Sequence, residues 1–172
     1  MIEKLFPDIY IENIFLLPTD KFKKMGIRAL VFDIDNTVAP FDQAEADDDI
    51  LKFLEKLKKD GFRLCFLSNN SKKRVEKFNE KIGASAVYKA GKPGVKKLKG
   101  AVFDMGVTLK ETALVGDQVF TDVYCAHNAG VLAVLTKPMC PRDQFVTKVK
   151  RGAERMVLKI YERSRKNGIL KG

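Results

Sequence analysis

The chain has 172 residues and a mass of 19.4 kDa, and it is 45% hydrophobic and 31% charged with 12 glycines and 6 prolines. This composition excludes collagen-like and Pro-rich classes and predicts one soluble domain over residues 1–172, with enough length to bury a core. The net charge is +10, and residues 137–172 hold +8 of it, with 11 Lys or Arg against 3 Asp or Glu.

In chain order, the run 29–32 (ALVF) reads as a buried strand that ends in carboxylates. Residues 47–60 place Ile50, Leu51, Leu54 and Leu57 at helical spacing behind Asp47 and Asp48 as candidate caps, and Gly61 ends the helix. A strand follows over 62–67, then a helix over 72–82 with Val75, Phe78 and Ile82 on one face. A short strand over 86–88 and a helix over 93–105, with Pro93 in its first turn, come next. The pattern closes with a strand over 113–115, a helix over 119–128 and a strand over 131–135. Strand and helix alternate about five times, which predicts an α/β fold: a central parallel sheet between two helical layers. Ligands of such folds bind at the carboxyl ends of the strands.

Each of those ends carries a polar cluster: Asp33-Ile34-Asp35-Asn36-Thr37, Ser68-Asn69-Asn70, Gly91-Lys92-Pro93, and Gly116-Asp117-Gln118 with Asp122 five residues on. Asp33 and Asp35 are two apart, so in extended chain they project to one side. Carboxylates that close repel, and a divalent cation removes the conflict. Asp33, Asp117 and Asp122 offer hard oxygen ligands with no useful Cys or His nearby, a set that suits Mg²⁺ and also Mn²⁺. A cation, a lysine and a small hydroxyl around one point form a trap for a phosphoryl group. One carboxylate can then attack phosphorus while another moves protons.

In this order, DIDNT (33–37), LSNN (67–70), GKPG (91–94) and GDQVFTD (116–122) resemble the four motifs of haloacid dehalogenase-like (HAD) phosphohydrolases. The resemblance covers residues 28–136. It implies a three-layer α/β/α Rossmann-like domain with Asp33 as nucleophile, Asp35 as general acid/base and Lys92 as the cation that neutralises the phosphoryl group. It assigns Mg²⁺ to Asp33, the Asp35 carbonyl and Asp117, with Asp122 as a further or water-mediated ligand. Ser68 and Asn69, with neighbouring backbone N–H groups, would hold phosphoryl oxygens. Thr37 completes the substrate-binding set and would help to position Asp35.

Only nine residues, 38–46, separate Thr37 from the next predicted helix, and 21 lie between Asn70 and Lys92. Neither interval holds a cap domain, so the chain resembles the capless subfamily III. LFPDIYIENI ahead of the first strand, with the LSNN and GDQxxTD forms, is similar to the IIIA branch that includes phosphatidylglycerophosphate phosphatases. That branch implies a lipid-headgroup phosphate as substrate and a place in phospholipid synthesis.

Residues 144–166 form a basic amphipathic pattern. Val146, Val149, Ala153, Met156, Val157 and Ile160 fall at helical spacing, and Lys148, Arg151, Arg155, Lys159 and Arg163 fall mostly elsewhere on the wheel. Such a helix either docks its apolar stripe on the core or attaches to anionic lipid. The N-terminus has no apolar core of signal-peptide length, which predicts a cytoplasmic protein, with peripheral contact at the inner membrane face if the helix attaches. Two rival readings stand beside the lipid phosphatase. One is the same chemistry on nucleic-acid ends or a soluble phosphoester. The other is a phosphate- or polyanion-binding module without turnover.

Overall fold

The computed structural model describes residues 2–140 and 145–166 of the chain. Its sheet is built from β1 (Ile9–Ile11), β2 (Ala29–Phe32), β3 (Arg63–Leu67), β4 (Ser85–Val87), β5 (Thr112–Gly116) and β6 (Leu132–Thr136). All pairings are parallel, in the order β1-β6-β5-β2-β3-β4. The helices are α1 (Thr19–Lys24), α2 (Asp48–Lys59), α3 (Lys72–Asn79), α4 (Lys96–Asp104), α5 (Tyr124–Ala129) and α6 (Phe145–Lys166).

The two-residue period of a strand divides β2 between two cores. Leu30 and Phe32 pack with Phe22 of α1, Leu54 and Leu57 of α2 and Phe78 of α3. Ala29 and Val31 face the other way, onto Leu98 of α4, Ala126 of α5, and Val157 and Tyr161 of α6. Both faces of the sheet are therefore covered, which is why its strands read as continuous apolar runs. No cap domain intervenes among the described residues: a 15-residue loop, 33–47, joins β2 to α2, and α3 is the one helix between β3 and β4.

The structure differs from the sequence-based expectation in four places. β1 adds a sixth strand at the sheet edge, against β6; three residues are too few to show an alternation. The helix expected from Pro93 begins at Lys96, because the N–H of Gly94 turns back onto the carbonyl of Gly91 at 2.8 Å. The helix expected over 119–128 is a π-helical turn, Val119–Val123, followed by α5. The helix expected to reach Ile82 stops at Asn79, whose side chain bonds both the N–H and the carbonyl of Ala84.

The basic C-terminal helix docks on the core through a different face. Glu154, Val157 and Tyr161 are buried, while Ala153, Met156 and Ile160 are exposed. The ring of Tyr161 sets this rotation by packing on Phe6, with centroids 5.6 Å apart. An aromatic ring buries more area than Met156 or Ile160 would at the same seam. The side chains of Val146, Val149, Lys148 and Arg151 lie outside the described residues.

Candidate active site

β2 and β5 are neighbours whose connections leave in opposite directions, so a crevice opens beyond their carboxyl ends. The N–H of Asp33 continues the ladder by donating to Val115 at 2.9 Å, which seats Asp33 beside Asp117. The chain then folds back. Asn36 adopts φ +63°, a left-handed conformation that its short polar side chain tolerates, and the N–H of Val38 donates to Ile34 at 3.0 Å. This turn buries Thr37 and brings its Oγ1 to within 3.4 Å of Asp117 Oδ1, where it donates. Thr37 thus supports Asp117, and not Asp35 as the motif implied.

Lys92 enters from the far side of β3. Its Nζ donates to Asp33 Oδ1 at 2.8 Å and to Asp122 Oδ1 at 2.7 Å, and all three side chains are buried. Burial works against the ammonium, but the carboxylates of Asp122 and Asp33 outweigh it and hold Lys92 charged. The second oxygen of Asp122 accepts from the N–H of Gln118 at 3.1 Å. Asp122 therefore anchors Lys92 with one oxygen and the loop after β5 with the other. Gly116 makes room for it, since a Cβ there would overlap the Asp122 carboxyl.

Asp35 stands outside this network. Its Oδ1 accepts from Arg74 Nε at 3.1 Å and Nη2 at 2.9 Å, and its Oδ2 accepts from Asn70 Nδ2 at 3.1 Å. The two aspartates of the first motif thus leave the β2 end toward different partners. Sequence reasoning missed Arg74 entirely. It lies in the first turn of α3, where Lys72 and Lys73 make it look like one more surface cation.

Ser68 is buried, and its Oγ accepts from the N–H of Asn70 at 3.1 Å. The cap of α3 is Ser71, which accepts from Arg74 N at 3.3 Å. Asn69 bonds both sides of the Lys92 backbone: its Oδ1 accepts from Lys92 N at 2.8 Å and its Nδ2 donates to Lys92 O at 3.1 Å. Its amide is thus spent on placing Lys92. His127, at the end of α5, pairs with Asp8 at 3.3 Å, away from these residues.

Asp33, Asp117 and Asp122 can each present one oxygen so that all lie within 4.8 Å of one another, and all three are buried. Three buried carboxyl groups gather around the one ammonium of Lys92. Desolvation accordingly pushes the Asp33 carboxyl up to about 6 despite Lys92. A buried, all-oxygen donor set of this kind fits a divalent cation.

The chain is similar to known proteins over most of its length. The family model for mitochondrial PGP phosphatase matches residues 2–140. The probable phosphatase YqeG of Bacillus subtilis is 32% identical over 164 residues, which cover 95% of each chain. Phosphatidylglycerophosphate phosphatase 1, chloroplastic/mitochondrial, of Arabidopsis thaliana is 25% identical over 92% of this chain, which spans about half (49%) of that protein. Among solved structures, the HAD phosphatase of Thermococcus onnurineus shares the fold, with a TM-score of 0.54 at 16% identity over 69% of this chain and 90% of that one. The cobalt-bound deoxy-D-mannose-octulosonate 8-phosphate phosphatase of Haemophilus influenzae does so at 0.50 and 16% identity, over 83% of this chain and 93% of that one.

Proposed function

The chain belongs to the PGP phosphatase family of HAD phosphatases, and from that premise we propose that it hydrolyses the phosphomonoester of phosphatidylglycerophosphate through an Asp33 phosphoenzyme with Mg²⁺. The observation that carries the mechanism is the buried Asp33–Lys92–Asp122 network at the β2/β5 crevice, with Asp35 held apart on Arg74.

An oxygen of Asp33 attacks phosphorus, and the bond from phosphorus to the alkoxide breaks. Asp35, as general acid, delivers a proton to that alkoxide. Water then attacks the aspartyl-phosphate, Asp35 takes a proton from it, and inorganic phosphate leaves with Asp33 restored. Lys92 stays charged throughout, and Asp122 and Asn69 keep it in place. The hydroxyl of Ser68, whose oxygen accepts from Asn70 N, has its own proton to donate to a phosphoryl oxygen. Asp33, Asp117 and the carbonyl of Asp35 would hold the Mg²⁺, which when bound supplies charge stabilisation to the phosphoryl oxygens. Asp122, with both oxygens engaged, acts through Lys92 and the loop after β5.

The lipid assignment draws support from the family and from α6. Met156 and Ile160 are exposed beside Lys159 and Arg163, an outward face of apolar and cationic groups suited to an anionic membrane surface. Among the described residues no helix is long and apolar enough to cross a membrane. The direct test is phosphate release from phosphatidylglycerophosphate in mixed micelles with Mg²⁺, comparing wild type with Asp33→Asn. Turnover that the variant lacks supports the mechanism and the lipid substrate together. Asp33-dependent hydrolysis of an aryl phosphate alone would keep the chemistry and discard the lipid.

A further inference from the structure

The open rim of the site carries a second cationic cluster, which the chemistry above does not use. Tyr88 follows β4 with its ring exposed. The ammonium groups of Lys72, at the start of α3, and Lys97, in the first turn of α4, lie 5.9 and 5.8 Å from its centroid. Lys97 is fixed there, since its Nζ donates to the carbonyls of Tyr88 at 3.0 Å and Lys89 at 2.7 Å. An ammonium has three N–H donors, so one remains for a ligand. Lys72 reaches Glu76 at 3.5 Å in an exposed pair that is easily exchanged.

Lys89 is the more telling residue. It adopts φ +45°, a backbone conformation that favours glycine and costs energy with any Cβ. The conformation is held because the N–H of Lys89 donates to Asn70 O at 2.9 Å while Lys97 grips its carbonyl. Asn70 in turn holds Asp35, so this loop is tied to the reacting centre. The Lys89 side chain is exposed, in a backbone conformation that favours glycine. Lys89 stands three residues before Lys92, a separation of at most about 11 Å along the chain.

We propose that Lys72 and Lys97, whose ammonium groups flank Tyr88, form with the neighbouring exposed Lys89 a subsite for a second phosphate group of the substrate: the phosphodiester of a lipid headgroup whose monoester is on Asp33. This rests on the phosphatase reading above. Without a cap, the rim is the place from which selectivity can be exerted. A glycerol that carries a monoester at one end and a diester at the other presents two phosphate groups, one for Lys92 and one for the rim. The ring of Tyr88 gives Lys72 and Lys97 a common support.

The test compares a soluble short-chain phosphatidylglycerophosphate with glycerol 3-phosphate, on wild type, Lys89→Gly and the double variant Lys72→Ala/Lys89→Gly. Wild type should prefer the diester-bearing substrate in kcat/KM. The double variant should lose at least tenfold of that preference, mainly through KM. Lys89→Gly should melt no lower than wild type, because glycine relieves the backbone, yet it should still lose selectivity. A merely structural lysine would show the reverse. No preference in wild type, or a preference that both variants keep, overturns the subsite. A preference for phosphorylated oligonucleotides that the variants abolish, with none for the short-chain lipid, overturns the lipid assignment of the subsite. Absence of any Asp33-dependent phosphate release, including from an aryl phosphate, overturns the phosphatase reading and the subsite with it.

Discussion

The guanidinium of Arg74 grips the carboxylate of Asp35 with two nitrogens on one oxygen, at 2.9 and 3.1 Å, while its remaining nitrogen donates to Ala44 O at 3.1 Å. Its plane lies over the Phe78 ring, 5.4 Å from the centroid. The proposed proton donor is thus oriented by a side chain that is itself locked by packing.

Arg74→Ala should therefore impair proton delivery more than phosphoryl binding. General acid assistance contributes about 10²–10⁴-fold, and alkyl phosphates depend on it far more than aryl phosphates with good leaving groups. We expect kcat on glycerol 3-phosphate to fall about tenfold more than kcat on 4-nitrophenyl phosphate, in parallel with Asp35→Asn. Arg74→Lys, which cannot reproduce the two-nitrogen fork, should rescue only part of the loss. Equal losses on both substrates would mark Arg74 as structural.

Divalent cation should stabilise the fold through Asp33, Asp117 and the carbonyl of Asp35. Mg²⁺ at 100 times its Kd adds about 2.7 kcal/mol, a rise of roughly 5–10 °C in Tm for a chain of this size. Asp117→Asn removes one ligand and should abolish most of that rise. Thermal melting with and without chelator reads it directly, independently of turnover.

Gly116→Ala should act through Asp122. The added Cβ overlaps that carboxyl, which must leave Lys92 and the N–H of Gln118. Overpacking of this kind costs about 1–3 kcal/mol. Activity should drop well beyond what that destabilisation explains, because Lys92 loses its anchor. Normal turnover in a folded Gly116→Ala protein would argue that Asp122 has no part in placing Lys92.

Asp8 provides a pH-dependent contribution remote from the site. Its Oδ2 accepts from Ala133 N at 2.7 Å and lies 3.3 Å from His127 Nε2, tying the chain before β1 to β6 and α5. Partial burial pushes its carboxyl up, but the hydrogen bonds from His127 and Ala133 outweigh this and hold it below the usual 3.8. A lowered folded-state pKa means stability that is present above 3.8 and lost as pH falls through the folded value. Asp8→Asn should cost about 1 kcal/mol at pH 7, or roughly 2–4 °C in Tm. The gap between variant and wild type should be intact at pH 5 and shrink at pH 3.

Much of this architecture is legible in the sequence because it depends on local pattern. Apolar runs of strand length and helical stripes on Ile50, Leu54 and Leu57 mark the layers. Asp33, Ser68 and Asp117 each follow such a run directly, and Lys92 lies in the loop after β4, so the chain order brings them to one edge of a parallel sheet. β1 was not legible, since three half-buried residues gain their identity only by pairing with β6.

The amino-acid sequence by itself determined the fold class, the crevice edge and the residue types gathered there, because burial and periodicity act over a few residues at a time. Only the tertiary structure decided the partners. Lys92 meets Asp33 across 59 residues, Thr37 meets Asp117 across 80, and Arg74 reaches Asp35 across 39. Such pairings are set by where the strands end and how each loop turns, and hydrogen bonds and ion pairs depend on distances that no spacing along the chain encodes. The same holds for the C-terminal helix: the stripe is written in the sequence, but the fit of Tyr161 against Phe6 chose which side faces the core.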